Sequence, residues 1–114
     1  MSDVKDDTNP FGCLALRSER RDDELVIALA GELDLNGTPR VSRALARAEA
    51  TDVSRVVLDL SSLEFIDSSG LRLIAAAEVR SRNGGDRLAL IRGPRPVHRV
   101  FELTGIAERL PFVG

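Results

Sequence analysis

Apolar and polar positions alternate in short runs through the first third of the chain and then change to helical spacing in three later segments. Leu14 and Leu16 alternate with smaller or polar neighbours, the charged stretch Ser18 to Glu24 follows, and Leu25-Val-Ile-Ala-Leu-Ala30 is a continuous apolar run. This pattern predicts two strands joined by a polar loop. Thr38 and Pro39 supply an N-cap and a first-turn proline, and Val41, Ala44, Leu45 and Ala48 fall at i, i+3, i+4 and i+7, so an amphipathic helix is expected to about Ala50. Arg55-Val-Val-Leu-Asp-Leu60 is short and β-branched, as a buried strand is. A second helix opens near Asp67, with Leu71, Ile74, Ala75 and Val79 as its buried stripe, and Asn83-Gly-Gly85 ends it. Arg87 to Ile91 is a further strand. Pro94 and Pro96 lead into a third helix with Val97, Val100 and Phe101 inward and Gly105 just past its end. The order β-β-α-β-α-β-α contains two strand-helix-strand crossovers and places the chain in the α/β class.

The chain has 114 residues, enough for one ordinary core and too few for a second independent domain. Residues 1–10 are acidic and polar and read as a flexible lead-in without the basic start and apolar stretch of a signal peptide; residues 11–114 form the domain. No apolar run approaches the roughly 20 residues of a membrane span. With four Phe and neither Trp nor Tyr, the core is aliphatic and no aromatic platform is available for stacking nucleic-acid bases. The net charge is −2, unevenly spread: residues 1–38 carry nine acids against four bases, and residues 80–114 carry seven arginines against three acids. Arg80, Arg82, Arg87, Arg92, Arg95, Arg99 and Arg109 form a locally basic third, read first as a solvated surface and second as a face for an acidic partner. The single cysteine, Cys13, excludes an internal disulfide and fits a reducing cytoplasm; as a strand residue it is expected to be a small buried hydrophobe.

The side chains offer little for catalysis. Neither a nucleophile elbow nor a phosphate-cradling glycine loop is present, and the one histidine, His98, reads as a solvated helix residue. Asp34, Asp59 and Asp67 lie near strand ends, where α/β sheets place ligands. A phospho-acceptor aspartate domain needs a lysine after a late strand, however, and the one lysine here is Lys5.

Leu58-Asp-Leu-Ser-Ser-Leu-Glu-Phe-Ile-Asp-Ser-Ser-Gly-Leu71 is the informative segment. An apolar strand runs into a polar turn, Phe65 and Ile66 return to the core, and Asp67 with Ser68 opens a helix. Two readings of the serines stand side by side. Oxygen side chains at a helix N-terminus satisfy free backbone N–H groups. Alternatively, Ser68 is an exposed hydroxyl at a positive helix end that welcomes an added phosphate, with Arg72 four residues on to pair with it.

Residues 56–71 resemble the signature of STAS domains, specifically the stand-alone bacterial anti-sigma factor antagonists, and Gly31-Glu-Leu-Asp34, Asn83-Gly-Gly85 and Val97 to Ile106 agree with it in order. The resemblance spans about residues 11–113. It implies a single STAS-type α/β domain with a mixed four- to five-stranded sheet and helices packed mainly on one face. It also implies a switch in place of an enzyme: the unphosphorylated protein binds an anti-sigma factor and frees a sigma factor, and phosphorylation by that partner's serine kinase activity ends the binding. The matching acceptor is Ser68; a serine phosphatase restores it. No cofactor or metal is expected on this chain, since ATP and Mg²⁺ belong to the kinase partner, and a cytoplasmic monomer with neither nucleic-acid nor membrane contacts is the corresponding expectation. The partner surface is expected around Asp34, Leu35, Asn36, Asp67, Ser68, Ser69, Arg72 and Leu73, with Leu73 placed outward, about 200° around the helix from Leu71. The alternative is a STAS sensory or scaffold module that binds a small ligand or a signalling complex without being phosphorylated.

Overall fold

A computed structural model describes residues 4–8 and 13–113, with side chains from Cys13 onward. The elements in chain order are β1 (Val4–Thr8), β2 (Leu14–Arg21), β3 (Glu24–Leu33), α1 (Thr38–Glu49), β4 (Arg55–Ile66), α2 (Ser68–Asn83), β5 (Leu88–Ile91) and α3 (Arg95–Leu103). A 3₁₀ turn, Ala107–Arg109, and the short strand β6 (Phe112–Val113) complete the described chain. One sheet contains all six strands in sequence order; β1/β2 and β2/β3 are antiparallel, and β3/β4, β4/β5 and β5/β6 are parallel. A parallel pair needs a crossover, and α1, α2 and α3 with its following turn supply the three.

The expected mixed α/β sheet is therefore present, with six strands where four to five were expected. The two additions are the end strands. Residues 4–8 pair antiparallel with β2, from Val4 opposite Glu19 to Thr8 opposite Ala15, although residues 1–10 read as an unstructured lead-in. Strand addition at an edge is made by backbone groups, which composition does not reveal. Phe112 and Val113 pair with Leu90 and Ile91.

The core is one cluster on the helix-covered face of the sheet. Leu16, Ile27, Leu29, Val56, Leu58, Leu60 and Leu90 meet Val41, Leu45, Ala48, Leu71, Ile74, Ala77, Val97 and Phe101 there. Ile27 and Leu29, or Val56, Leu58 and Leu60, are two apart, so each strand turns its alternate residues the other way. Three details differ from the expected pattern. The buried stripe of α2 is Gly70, Leu71, Ile74 and Ala77, while Val79 is exposed. His98 is buried instead of solvated, because the returning tail sets Phe112 edge-on to it at 4.8 Å. Cys13 is exposed ahead of β2 and not buried within it, its carbonyl accepting the Glu32 N–H at 2.7 Å.

The arginine-rich third is not one surface. Arg80 forms a two-point pair with Glu49 at 3.0 and 3.1 Å, and Arg82 pairs with Glu78 at 2.8 Å. Arg87 is half-buried and donates to the carbonyls of Glu49, Thr51 and Val53 at 2.8, 3.0 and 2.9 Å. Glu49 ends α1 and Thr51 and Val53 lie in the loop that follows, so this one guanidinium caps the last helical carbonyl and ties the α1–β4 loop to the start of β5. Arg87→Met should destabilise the fold by about 2–3 kcal/mol, read as a lowered urea midpoint at unchanged slope.

Candidate functional site

β4 is longer than its apolar pattern suggests. It reaches Ile66 through register shifts against β3, where three steps along β4, from Asp59 to Ser62, match two along β3, from Ala28 to Ala30. The extra residue bends the strand and changes which side chains face the core. Leu60, Leu63 and Ile66 are buried, whereas Phe65, expected inside, is 48% exposed.

After Ile66 the chain turns at Asp67, whose extended backbone, φ −107° and ψ −174°, suits a residue preceding a helix. Its Oδ1 accepts the N–H groups of Ser69 and Gly70 at 2.9 and 3.1 Å and the Ser69 hydroxyl at 2.5 Å. The Asp67 N–H donates to the Leu33 carbonyl at 3.2 Å, and the Leu35 N–H also serves the carboxylate. The Ser69 hydroxyl is the main influence holding this carboxyl below its ordinary range; burial opposes it, and the N–H groups of Gly70, Ser69 and Leu35 reinforce it. Gly70 lets the first turn sit down on the strand ends, since a Cβ there would lie 2.8 Å from Ile66 Cγ1 and 3.0 Å from Leu33 Cγ.

The two serines consequently differ in chemistry. Ser69 spends its hydroxyl on Asp67, whereas Ser68, the first residue of α2, is exposed and has no side-chain partner among the described residues. The helix end offers an added anion less than expected from its dipole alone. Asp67 already takes the N–H groups of Ser69 and Gly70 with its side chain and that of Leu71 with its carbonyl, at 3.1 Å. A group added to Ser68 is left facing solvent.

The other residues of the expected surface lie in the loop after β3 and in the first turns of α2. Asp34 shapes the loop after β3, its side chain accepting the Asn36 N–H at 3.0 Å and its carbonyl the N–H groups of Gly37 and Thr38 at 3.0 and 3.1 Å. Leu35 at the tip is 70% exposed. Arg72 is exposed one turn along α2. Leu73 departs from expectation: it is half-buried and packs against the core. The inward direction is set by Gly70, Ile74 and Ala77 rather than by Leu71, and Leu73 lies only about 100° from Ile74. Phe65, expected inside, instead adds exposed apolar surface at the end of β4. Its one advance signal is its place, next to the buried Ile66, in a strand that alternates. Among the described residues no three His, Cys, Asp or Glu side chains group as a metal site.

A mixed sheet with three helices on one face and a helix N-terminus presenting an exposed serine defines a STAS-type domain. The family model described as "Mlab, STAS domain" matches residues 16–113, and the chain belongs to that family. It is similar to the anti-sigma F factor antagonist of Paenibacillus polymyxa, 29% identical over 86% of this chain and 85% of the relative. The anti-sigma-B factor antagonist of Listeria monocytogenes is 30% identical over 79% of each chain. The crystal structure of an anti-sigma factor antagonist from Mycobacterium paratuberculosis superposes with a TM-score of 0.76 at 26% identity, covering 92% of this chain and 88% of that one.

The lowered Asp67 carboxyl fixes the sign of a pH effect. A group whose folded pKa lies below its unfolded value, about 3.9, contributes stability that is complete above that value and is lost as pH falls through the folded pKa. Asp67→Ala should therefore cost about 1–2 kcal/mol at pH 7, a cost that shrinks as the pH is taken from about 5 toward 2. Paired urea titrations of wild type and variant across that range measure it.

Proposed function

We propose that this protein is a cytoplasmic anti-sigma factor antagonist that binds an anti-sigma factor with serine kinase activity, releases a sigma factor, and is switched off by phosphorylation at Ser68. The observation that carries the reading is the division of labour between the adjacent serines: Ser69 is consumed in capping α2, and Ser68 is exposed at the head of the same helix. The names of the relatives supply the partner class. Binding is the activity proposed for this chain; catalysis, with ATP and Mg²⁺, belongs to the kinase.

In the unmodified state the partner covers Ser68, with Leu35 and Phe65 as apolar anchors and Asp34, Arg72 and the capped turn as the surrounding polar contacts. Leu73 stabilises α2 from beneath and is not an anchor. The kinase moves the γ-phosphoryl group of ATP to Ser68 Oγ, the hydroxyl proton passes to a base of the kinase, and ADP leaves. The phosphate brings about −1.5 to −2 charges into a contact fitted to a neutral hydroxyl. With the N–H groups of Ser69, Gly70 and Leu71 already taken by Asp67, the first turn offers the new charge few donors. Desolvating it unpaired costs roughly 3–5 kcal/mol, or about two to three and a half powers of ten in affinity. Arg72 stands one turn away to partner the phosphate once the complex has parted.

Calorimetric titration of the purified anti-sigma factor tests this. Ser68→Asp should lose at least 100-fold in affinity with an unchanged circular dichroism spectrum, and Leu35→Ala and Phe65→Ala should each lose about 10- to 100-fold. Ser69→Ala should lower stability while leaving the kinase an acceptor. Undiminished binding by Ser68→Asp would favour a scaffold or ligand-sensing role, in which Ser68 is only the first residue of a helix.

A further inference from the structure

α3 buries a histidine that the fold does not hydrogen-bond. His98 is 8% exposed, and its Nδ1 is shut away from solvent without a partner. The ring lies edge-on to Phe112 at 4.8 Å and tilted against Phe101 at 6.2 Å. A phenylalanine would fill this place without leaving an unpaired ring nitrogen, so packing alone does not account for an imidazole. Nε2 also has no hydrogen bond to a described residue, but it is not shut away. It is the ring's one polar outlet, and the cavity that His98 lines is shared with Arg92, Gly93, Arg95 and Glu102.

This cavity, of about 270 Å³, lies just beyond the carboxyl end of β5 at the entry to α3. Gly93 makes it possible: a Cβ there would stand 3.0 Å from the Leu60 carbonyl oxygen and 2.9 Å from Val97 Cγ1, so the loop lies directly on β4. Arg92, Arg95 and Glu102 have no ion-pair partner among the described residues. The helix backbone contributes few donors, because Val97 and His98 give their N–H groups to the Pro94 carbonyl at 3.0 and 2.9 Å and Pro96 has none. The side chains and the positive end of the helix therefore do the binding.

We propose that the cavity between the β5 end and α3 binds a small phosphate-bearing ligand through Arg92, Arg95 and the Nε2–H of His98. Two guanidinium groups match the oxygens of a phosphate, and Nε2, the ring nitrogen that is not enclosed, is the one placed to donate to a third oxygen. Glu102 accepts from a hydroxyl of the same ligand, which selects either the protonated free ion or a hydroxylated phosphate ester over a bare dianion. The volume equals that of roughly nine waters at ~30 Å³ each, room for a phosphate and a short carbon chain. Neither Ser68 nor an anti-sigma factor enters this inference.

The test is a titration of the full chain with sodium phosphate and, separately, with glycerol 3-phosphate, each against sodium chloride at matched ionic strength, followed by ¹H–¹⁵N NMR of the His98 ring and the backbone. Saturable shifts at His98, Gly93 and Arg95 are expected, with affinity about tenfold lower in Arg92→Ala and in Arg95→Ala, both exposed positions whose loss leaves the fold intact. Tighter binding of inorganic phosphate identifies the free ion as the ligand, and tighter binding of glycerol 3-phosphate identifies an ester. Shifts that do not saturate, that chloride reproduces, or that persist undiminished in both arginine variants would overturn the proposal.

Discussion

The Asp67 carboxylate stands where β3, β4 and α2 converge, and the geometry of that end of the molecule depends on it. By holding the N–H groups of Ser69 and Gly70 and the hydroxyl of Ser69, it fixes the first turn of α2. The backbone N–H of the same residue donates to the Leu33 carbonyl at 3.2 Å, which ties the turn to the end of β3. A single residue thus sets the direction of Ser68 and fixes it to the end of β3. A residue without a side-chain acceptor at this place leaves the N–H groups of Ser69 and Gly70 unpaired at once.

The same carboxylate shapes the switch. A helix N-terminus ordinarily attracts phosphate through free N–H groups and its dipole. Here the N–H groups of Ser69, Gly70 and Leu71 are already bonded to Asp67, so a phosphate on Ser68 could claim them only by displacing that residue. In the proposed switch, control is exerted through what the surface presents rather than through a change of fold. The six-stranded sheet serves as the rigid base for this, with one face committed to the core and the strand ends carrying the exposed loops.

Periodicity revealed the architecture because β2, β3, β5 and the three helices each keep a regular spacing of apolar residues. It failed where the period breaks. The irregular pairing of β4 against Ala28 and Ala30 shifts the inward positions to Leu63 and Ile66 and pushes Phe65 to the surface, which no count of alternation anticipates. Leu73 was misplaced because Leu71 lies at the margin of the buried stripe instead of its centre. His98 and residues 4–8 take their environments from tertiary partners, Phe112 and β2, that are distant in the chain. Arg87 resembles every other arginine in sequence, and its role as the closure of α1 exists only once β5 is beside that helix. The serine pair was legible as a motif; that one hydroxyl is bound and its neighbour free required the positions of atoms.

The central claim is that the phosphate acceptor and the partner contact are the same residue. Its most direct test is to incubate the full chain with its anti-sigma factor and Mg²⁺-ATP, locate the phosphate by tandem mass spectrometry, and follow the complex by native mass spectrometry in the same samples. A single phosphoryl group on Ser68, with the complex disappearing in step with its addition, is the predicted result. Phosphate on Ser69, or a complex that survives full modification of Ser68, would contradict the account.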